Sequence, residues 1–222
     1  MQTHRLTSKH CQKHGTFEAY VLGNTSTRCP RCSRLDAGAA KAGIPSRYRS
    51  KGFHDFDKAH PGAAVAFDEV SSFIDRWQRT KLKGANLILF GAVGTGKTHL
   101  ATAAAMAVIE AGDSALYTRA AKITAEVKET WGVAHKTERA VYERFEEPDL
   151  LIIDEIGRQR ATDTERLALF EVIHRRYESQ RPTIAVTNLD GEGLRDYLGD
   201  AALDRLRENG TAVRFDWASA RK

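Results

Sequence analysis

The chain has 222 residues, with 34 Lys or Arg against 29 Asp or Glu, a formal net charge of +5 and 41% hydrophobic residues. That length holds one α/β core of ordinary size plus a small appendage, and no apolar run approaches the roughly eighteen residues a membrane-spanning helix needs. Charge is uneven: residues 1–60 carry 11 Lys or Arg and 4 Asp or Glu, while the remainder holds 23 against 25. A basic arm on a near-neutral body fits a nucleic-acid or acidic-partner contact, and equally a solubilising face.

The arm opens with Cys11-Gln12-Lys13-His14 and, fourteen residues later, Cys29-Pro30-Arg31-Cys32. C-x₂-H followed by C-x₂-C predicts two tight hairpin knuckles whose sulfur and nitrogen atoms complete a tetrahedron around Zn²⁺. Disulfide pairing competes, but all three cysteines lie in this window. An odd count without a secretory signal points to a reducing cytosol and a cytoplasmic protein. His10 and His4 compete with His14 for the fourth position, which the symmetric spacing gives to His14. Four ligands close the shell, so the expected site is structural. Residues 1–36 are read as the zinc element, the small residues 37–43 as a flexible linker, and 44–222 as the main domain.

Within the main domain, residues 64–79 are predicted as one helix with Val65, Val70, Phe73 and Trp77 facing the core. The apolar run Leu87–Phe90 then leads into Gly91-Ala92-Val93-Gly94-Thr95-Gly96-Lys97-Thr98 and a helical pattern from His99. This is G-x-x-x-x-G-K-[ST] in its strand–loop–helix setting. Gly91, Gly94 and Gly96, with Thr95 between them, let backbone N–H groups close around phosphate oxygens at a helix start. Lys97 would reach the β- and γ-phosphates of ATP, and the Thr98 hydroxyl would ligate Mg²⁺.

A strand is predicted at 114–118, and the wholly apolar Leu150–Ile153 running into Asp154-Glu155 reads as a central parallel strand. Asp154 would hold the Mg²⁺ shell and Glu155 would polarise a water, which favours a hydrolase over a small-molecule kinase. A helix follows, capped by Asp163, with Leu167, Phe170, Ile173 and Tyr177 as its core stripe; Arg175-Arg176 is a candidate phosphate contact. The strand Thr183–Thr187 ends in Asn188, at the tip where a polar side chain meets the attacking water. A last strand, Thr211–Phe215, leaves seven residues, too few for a helical lid over the nucleotide.

This order of motifs resembles the AAA+ ATPases, and the surrounding wording resembles their DnaC and IstB branch over residues 42–222. The matching phrases are Ile44-Pro45-Ser46-Arg47-Tyr48, Ile153-Asp154-Glu155-Ile156-Gly157, Asp204-Arg205-Leu206-Arg207 and Phe215-Asp216-Trp217. The resemblance implies an α/β fold with a five-stranded parallel sheet flanked by helices. It gives Asn188 the sensor 1 role, Arg205 that of an arginine finger acting on a neighbour's nucleotide, and Arg221 that of sensor 2. It implies a slow ATPase that self-associates head to tail into a ring or spiral and loads a replicative helicase onto single-stranded DNA. The residues from Arg119 to Glu147 would line the strand's path. Two other readings stay open: an IstB-like ATPase assisting a transposase, and a zinc-bearing nucleic-acid adaptor for which ATP is only a structural ligand.

Overall fold

The computed structural model describes residues 5–22, 25–133, 135–158 and 162–219. The basic arm begins as a small antiparallel sheet of β1 (Arg5–Cys11), β2 (Gly15–Leu22) and β3 (Thr25–Ser26). Helix α1 (Pro30–Lys41) follows, then α2 (Ser46–Arg49), a 3₁₀ turn (Phe53–Asp55), α3 (Pro61–Asp75) and α4 (Trp77–Leu82). The main domain alternates β4 (Asn86–Gly91), α5 (Lys97–Glu110), β5 (Ala115–Arg119), α6 (Ala120–Lys128), α7 (Glu138–Glu146) and β6 (Leu150–Ile156). It closes with α8 (Asp163–Glu178), β7 (Thr183–Thr187), α9 (Gly191–Leu198), α10 (Asp200–Glu208) and β8 (Gly210–Phe215).

These five main-domain strands form one parallel sheet in the order β5-β6-β7-β4-β8. Side chains alternate faces along a strand, so a sheet covered on both sides needs continuous apolar runs. In β6, Leu150 and Ile152 pack with α1, α3 and α5, whereas Leu151 and Ile153 pack with α6, α8 and α10. Each is fully buried, and truncating one to alanine costs about 2–5 kcal/mol. The rule that crossovers in such sheets run through helices brings the carboxyl ends of all five strands to one edge.

The expected linker is not one. Residues 37–41 complete α1, Ala39 and Ala42 are buried, and the Tyr117 N–H donates to Ala42 O at 2.7 Å. Small residues such as Ala37, Ala39 and Ala40 read as flexible, yet alanine has the highest helix propensity. At Gly43, with φ +71°, an added Cβ would meet Tyr117 O at 2.9 Å, so the arm enters the domain in close contact with β5.

Three helix expectations also change. The helix expected over 64–79 breaks at Arg76, whose φ −102° and ψ 27° leave the helical region, and Val65 is 61% exposed. Thr162, not Asp163, caps α8 by accepting from the Glu165 N–H. The face of α8 turned inward is Ala168, Leu169, Val172, Ile173 and Arg176, while Leu167 and Tyr177 are exposed. A hydrophobicity stripe misses a face that includes a small residue and a charge.

Arg176 is no phosphate contact. Its guanidinium is fully buried and donates to the carbonyls of Phe145 (3.0 Å), Glu146 (2.8 Å), Pro148 (2.9 Å) and Pro182 (2.5 Å), and to Thr183 Oγ1 (3.0 Å). Five acceptors around the planar fork, three of them sharing Nη1, tie the entries of β6 and β7 together. Arg175 pairs with Glu171 and Glu146.

Candidate nucleotide site and metal knuckle

Gly91 ends β4 at φ +121°, and a Cβ there would collide with Phe215 O of β8. The loop from Gly91 to Gly96 can therefore start only from a glycine. Lys97, the first residue of α5, folds back so that Nζ donates to Gly91 O at 2.8 Å and Ala92 O at 2.6 Å. Both acceptors are neutral carbonyls, which an anionic phosphate oxygen outcompetes. Thr95 Oγ1 braces the loop on Ala92 O at 2.8 Å.

One oxygen of Asp154 gathers two hydroxyls: Thr98 Oγ1 donates to Oδ2 at 3.0 Å and Tyr117 OH donates to it at 2.7 Å. The Glu155 N–H donates to the other oxygen, Oδ1, at 2.7 Å. Thr98 and Asp154, expected as the magnesium pair, are thus side by side, 56 residues apart in sequence. Burial, then the Asp154 charge and hydrogen bond, push the Tyr117 hydroxyl well above its ordinary pKa, so it stays a proton donor. Sequence reasoning missed Tyr117. Its signal lies in the parallel register, which sets Arg119 beside Asp154 and leaves Tyr117 two residues earlier on the same strand face.

The pairing of β6 with β7 slips between Ile153 and Ile156, and Glu155 takes φ +57°. Non-glycine residues rarely occupy this left-handed region, and such strain clusters at functional sites. The bulge turns Glu155 out of the strand, where Arg158 Nη1 lies 2.8 Å from Oε1 and Arg119 Nε 3.4 Å from Oε2. Both arginines were overlooked as partners of this acid. Asn188, just past β7, shares with Lys97, Thr98, Asp154 and Glu155 the wall of a cavity of about 720 Å³. Arg47 and Tyr48 line its outer rim, and the Arg47 guanidinium sits 4.7 Å over the Tyr48 ring.

Arg205 is not part of that wall. On α10 it donates to His174 Nδ1 at 3.0 Å and Ala201 O at 2.7 Å, with its guanidinium 5.0 Å from the Phe170 ring of α8. Arg221 lies outside the described residues. Ser219, near the end of the described chain, packs directly on Gly94 of the loop.

The second cluster is in the arm. Cys11 ends β1, His14 sits in the turn to β2, Cys29 caps α1 and Cys32 lies in its first turn. The expected second knuckle is therefore a helix start rather than a hairpin. The four ligand atoms lie within 4.8 Å of one another. Cys11, Cys29 and Cys32 Sγ stand 3.7, 3.5 and 3.3 Å from His14 Nδ1, and Cys11 Sγ is 3.7 Å from Cys32 Sγ. Metal–sulfur bonds of about 2.3 Å in a tetrahedron have edges of about 3.8 Å, which these spacings match. The cysteines form no disulfide. His10 is exposed outside the cluster, and His4 lies outside the described residues. The Lys13 backbone N–H leads in pulling the Cys11 thiol down to about 7, while burial and then Cys11 push Cys32 up to about 11.

A glycine-rich loop after the strand between β7 and β8, with paired acids two strands away on β6, defines an α/β domain of the phosphate-loop nucleotide-binding type. A family model described as IstB-like ATP binding protein matches residues 56–222, and the chain belongs to that family. It is 30% identical over 194 residues to the "Replicative helicase loader DnaC" of Buchnera aphidicola subsp. Schizaphis graminum, covering 86% of this chain and 78% of that one. Among solved structures, the "Crystal structure of the DnaC helicase loader" is similar with a TM-score of 0.69 at 20% identity, over 77% of this chain and 99% of that one. The "Structure of AMPPCP-bound DnaA from Aquifex aeolicus" gives 0.64 at 21% identity, over 78% and 51%. Among the described residues, no helix is long and apolar enough to cross a membrane.

Proposed function

We propose that the protein hydrolyses ATP to load a ring-shaped replicative helicase onto single-stranded DNA. The observation that carries this reading is an intact hydrolytic acid, Glu155, beside the Thr98–Asp154 pair, in a chain 30% identical to a replicative helicase loader. Lys97 leaves its two carbonyls for the triphosphate; Thr98 and Asp154 hold Mg²⁺, which supplies charge neutralisation at the phosphates. Glu155 orients the attacking water and Asn188 steadies it. Arg205 and Arg221 serve as trans finger and sensor 2, so each site is completed where two chains meet head to tail. Two guanidiniums compete for the Glu155 carboxylate, which supports slow turnover until DNA or a partner rearranges them.

The metal knuckle is read as a structural Zn²⁺ site of Cys11, His14, Cys29 and Cys32, shaping a basic arm for the helicase contact. A second reading, assistance to a transposase, draws on the IstB-like family model. Capture of the purified helicase decides between them: retention by wild type and by Glu155→Gln with ATP, but not by Lys97→Ala, supports loading. Glu155→Gln should bind ATP and stall, because the water loses its base. Wild-type turnover in that variant would move catalysis elsewhere.

A further inference from the structure

Glu110 is the last residue of α5, the helix that Lys97 begins. Its carboxylate lies 3.6 Å from His14 Nε2, while the other ring nitrogen, Nδ1, faces the three cysteine sulfurs. The His14 side chain is only 6% exposed and that of Glu110 is 51% exposed. The imidazole is thus enclosed between sulfurs on one side and a carboxylate on the other.

We propose that Glu110 is the outer carboxylate of the metal knuckle, a positioning residue that fixes His14 as an Nδ1 ligand and fastens the arm to the far end of the phosphate-loop helix. This rests on reading the cluster as a divalent-metal site. A neutral imidazole has one lone pair and one N–H; binding a cation through Nδ1 puts the proton on Nε2. A buried Nε2–H needs an acceptor, and a carboxylate in that place orients the ring and raises its basicity. The 3.6 Å separation is in ion-pair range, and the Glu110 side chain is half exposed.

Backbone packing keeps the two groups together. A Cβ on Gly38 would lie 2.7 Å from Ile109 Cγ2, so α1, which carries Cys32, lies hard against the last turn of α5. Three thiolates and Glu110 would leave the site anionic around a divalent ion. Lys13, Arg49 and Lys51 line the adjoining cleft, with Glu110 and His14 in the same wall, and offset that charge.

The test uses full-length wild type, Glu110→Ala and Glu110→Gln, each titrated with zinc against a competing chelator. Loss of such an outer partner weakens metal affinity about 10- to 100-fold, which is the drop expected for Glu110→Ala. Glu110→Gln, whose amide oxygen can accept the same proton, should recover most of it. Nitrogen-15 spectra of zinc-loaded wild type should show His14 metallated at Nδ1, with an Nε2 proton in slow exchange that Glu110→Ala loses. ATP-analogue binding checks that the variants are folded. Unchanged affinity in Glu110→Ala, or metallation at Nε2, overturns the proposal while leaving the metal site standing. Wild type that binds no zinc overturns the site and the proposal together.

Discussion

Arg119 reaches across from the end of β5 to Glu155, Nε to Oε2 3.4 Å, while Arg158 takes the other oxygen at 2.8 Å. The acid proposed to polarise water is held by two cations. Arg119→Ala frees one oxygen, and phosphate release by the protein alone should rise by up to about tenfold, which is about 1.4 kcal/mol off the barrier. Unchanged or slower release would show that Arg119 does not restrain Glu155.

Asp149 accepts from Ser114, its backbone N–H and hydroxyl included, and pairs with Lys81 and Arg181 at the entry to β6. Burial pushes its carboxyl up, but Lys81 and Ser114 outweigh that and hold it at about 2 against an ordinary 3.8. A depressed carboxyl pKa stabilises the fold above the unfolded value and loses that contribution as pH falls through the folded one. Asp149→Asn should therefore destabilise by about 1–2 kcal/mol at neutral pH, allowing for solvent screening. The gap between wild type and variant, read from urea unfolding, should shrink between pH 4 and pH 2. A gap constant over that window would mean the charge contributes nothing.

Freshly purified protein should carry about one zinc per chain, as four ligands define one closed site. Chelation or Cys29→Ser should raise amide exchange in β1, β2 and the first turn of α1, because metal and local folding energies are linked. The half of α1 holding Ala39 packs on the main core and should keep its protection, and ATP binding should survive. Loss of ATP binding on chelation would mean the knuckle supports the whole domain.

Arg205 stacks on Phe170 and does not line its own chain's cavity, so its role has to be tested between chains. Loss of a trans arginine costs on the order of 10³-fold in related phosphoryl-transfer sites. Arg205→Ala keeps a sound phosphate loop and Lys97→Ala keeps a sound arginine, so mixing the two inactive variants should restore part of the DNA-stimulated turnover. A mixture that stays inactive, with Arg205→Ala alone as fast as wild type, would reduce Arg205 to a surface charge.

The phosphate loop, the acids after Leu150–Ile153 and the five parallel strands were legible because each is local: a spacing, an apolar run, a turn. Strand limits moved by no more than a residue or two, since β6 and β7 are buried on both faces and leave few alternatives. What escaped depends on neighbours distant in sequence. Tyr117 and Arg119 acquire meaning only when β5 pairs with β6, a strand order no local pattern carries. Arg176 reads as a phosphate contact in the sequence because its five acceptors come from two segments, 145–148 and 182–183, that no local pattern joins to α8. Ala39 and Ala42, read as part of a linker, are core because α5 lies beneath them, and Cys29-Pro30 starts a helix because proline fits its first turn.

The most direct test of the account places the replicative helicase and covalently closed circular single-stranded DNA together, so that a helicase ring can be threaded only by opening it. Helicase retained on the circles after a high-salt wash is measured without the protein, with wild type and with Lys97→Ala, each with ATP. The account predicts retention that depends on wild-type protein and ATP and is lost with Lys97→Ala. Equal retention in all three mixtures, with no capture of the helicase by the protein, would contradict it.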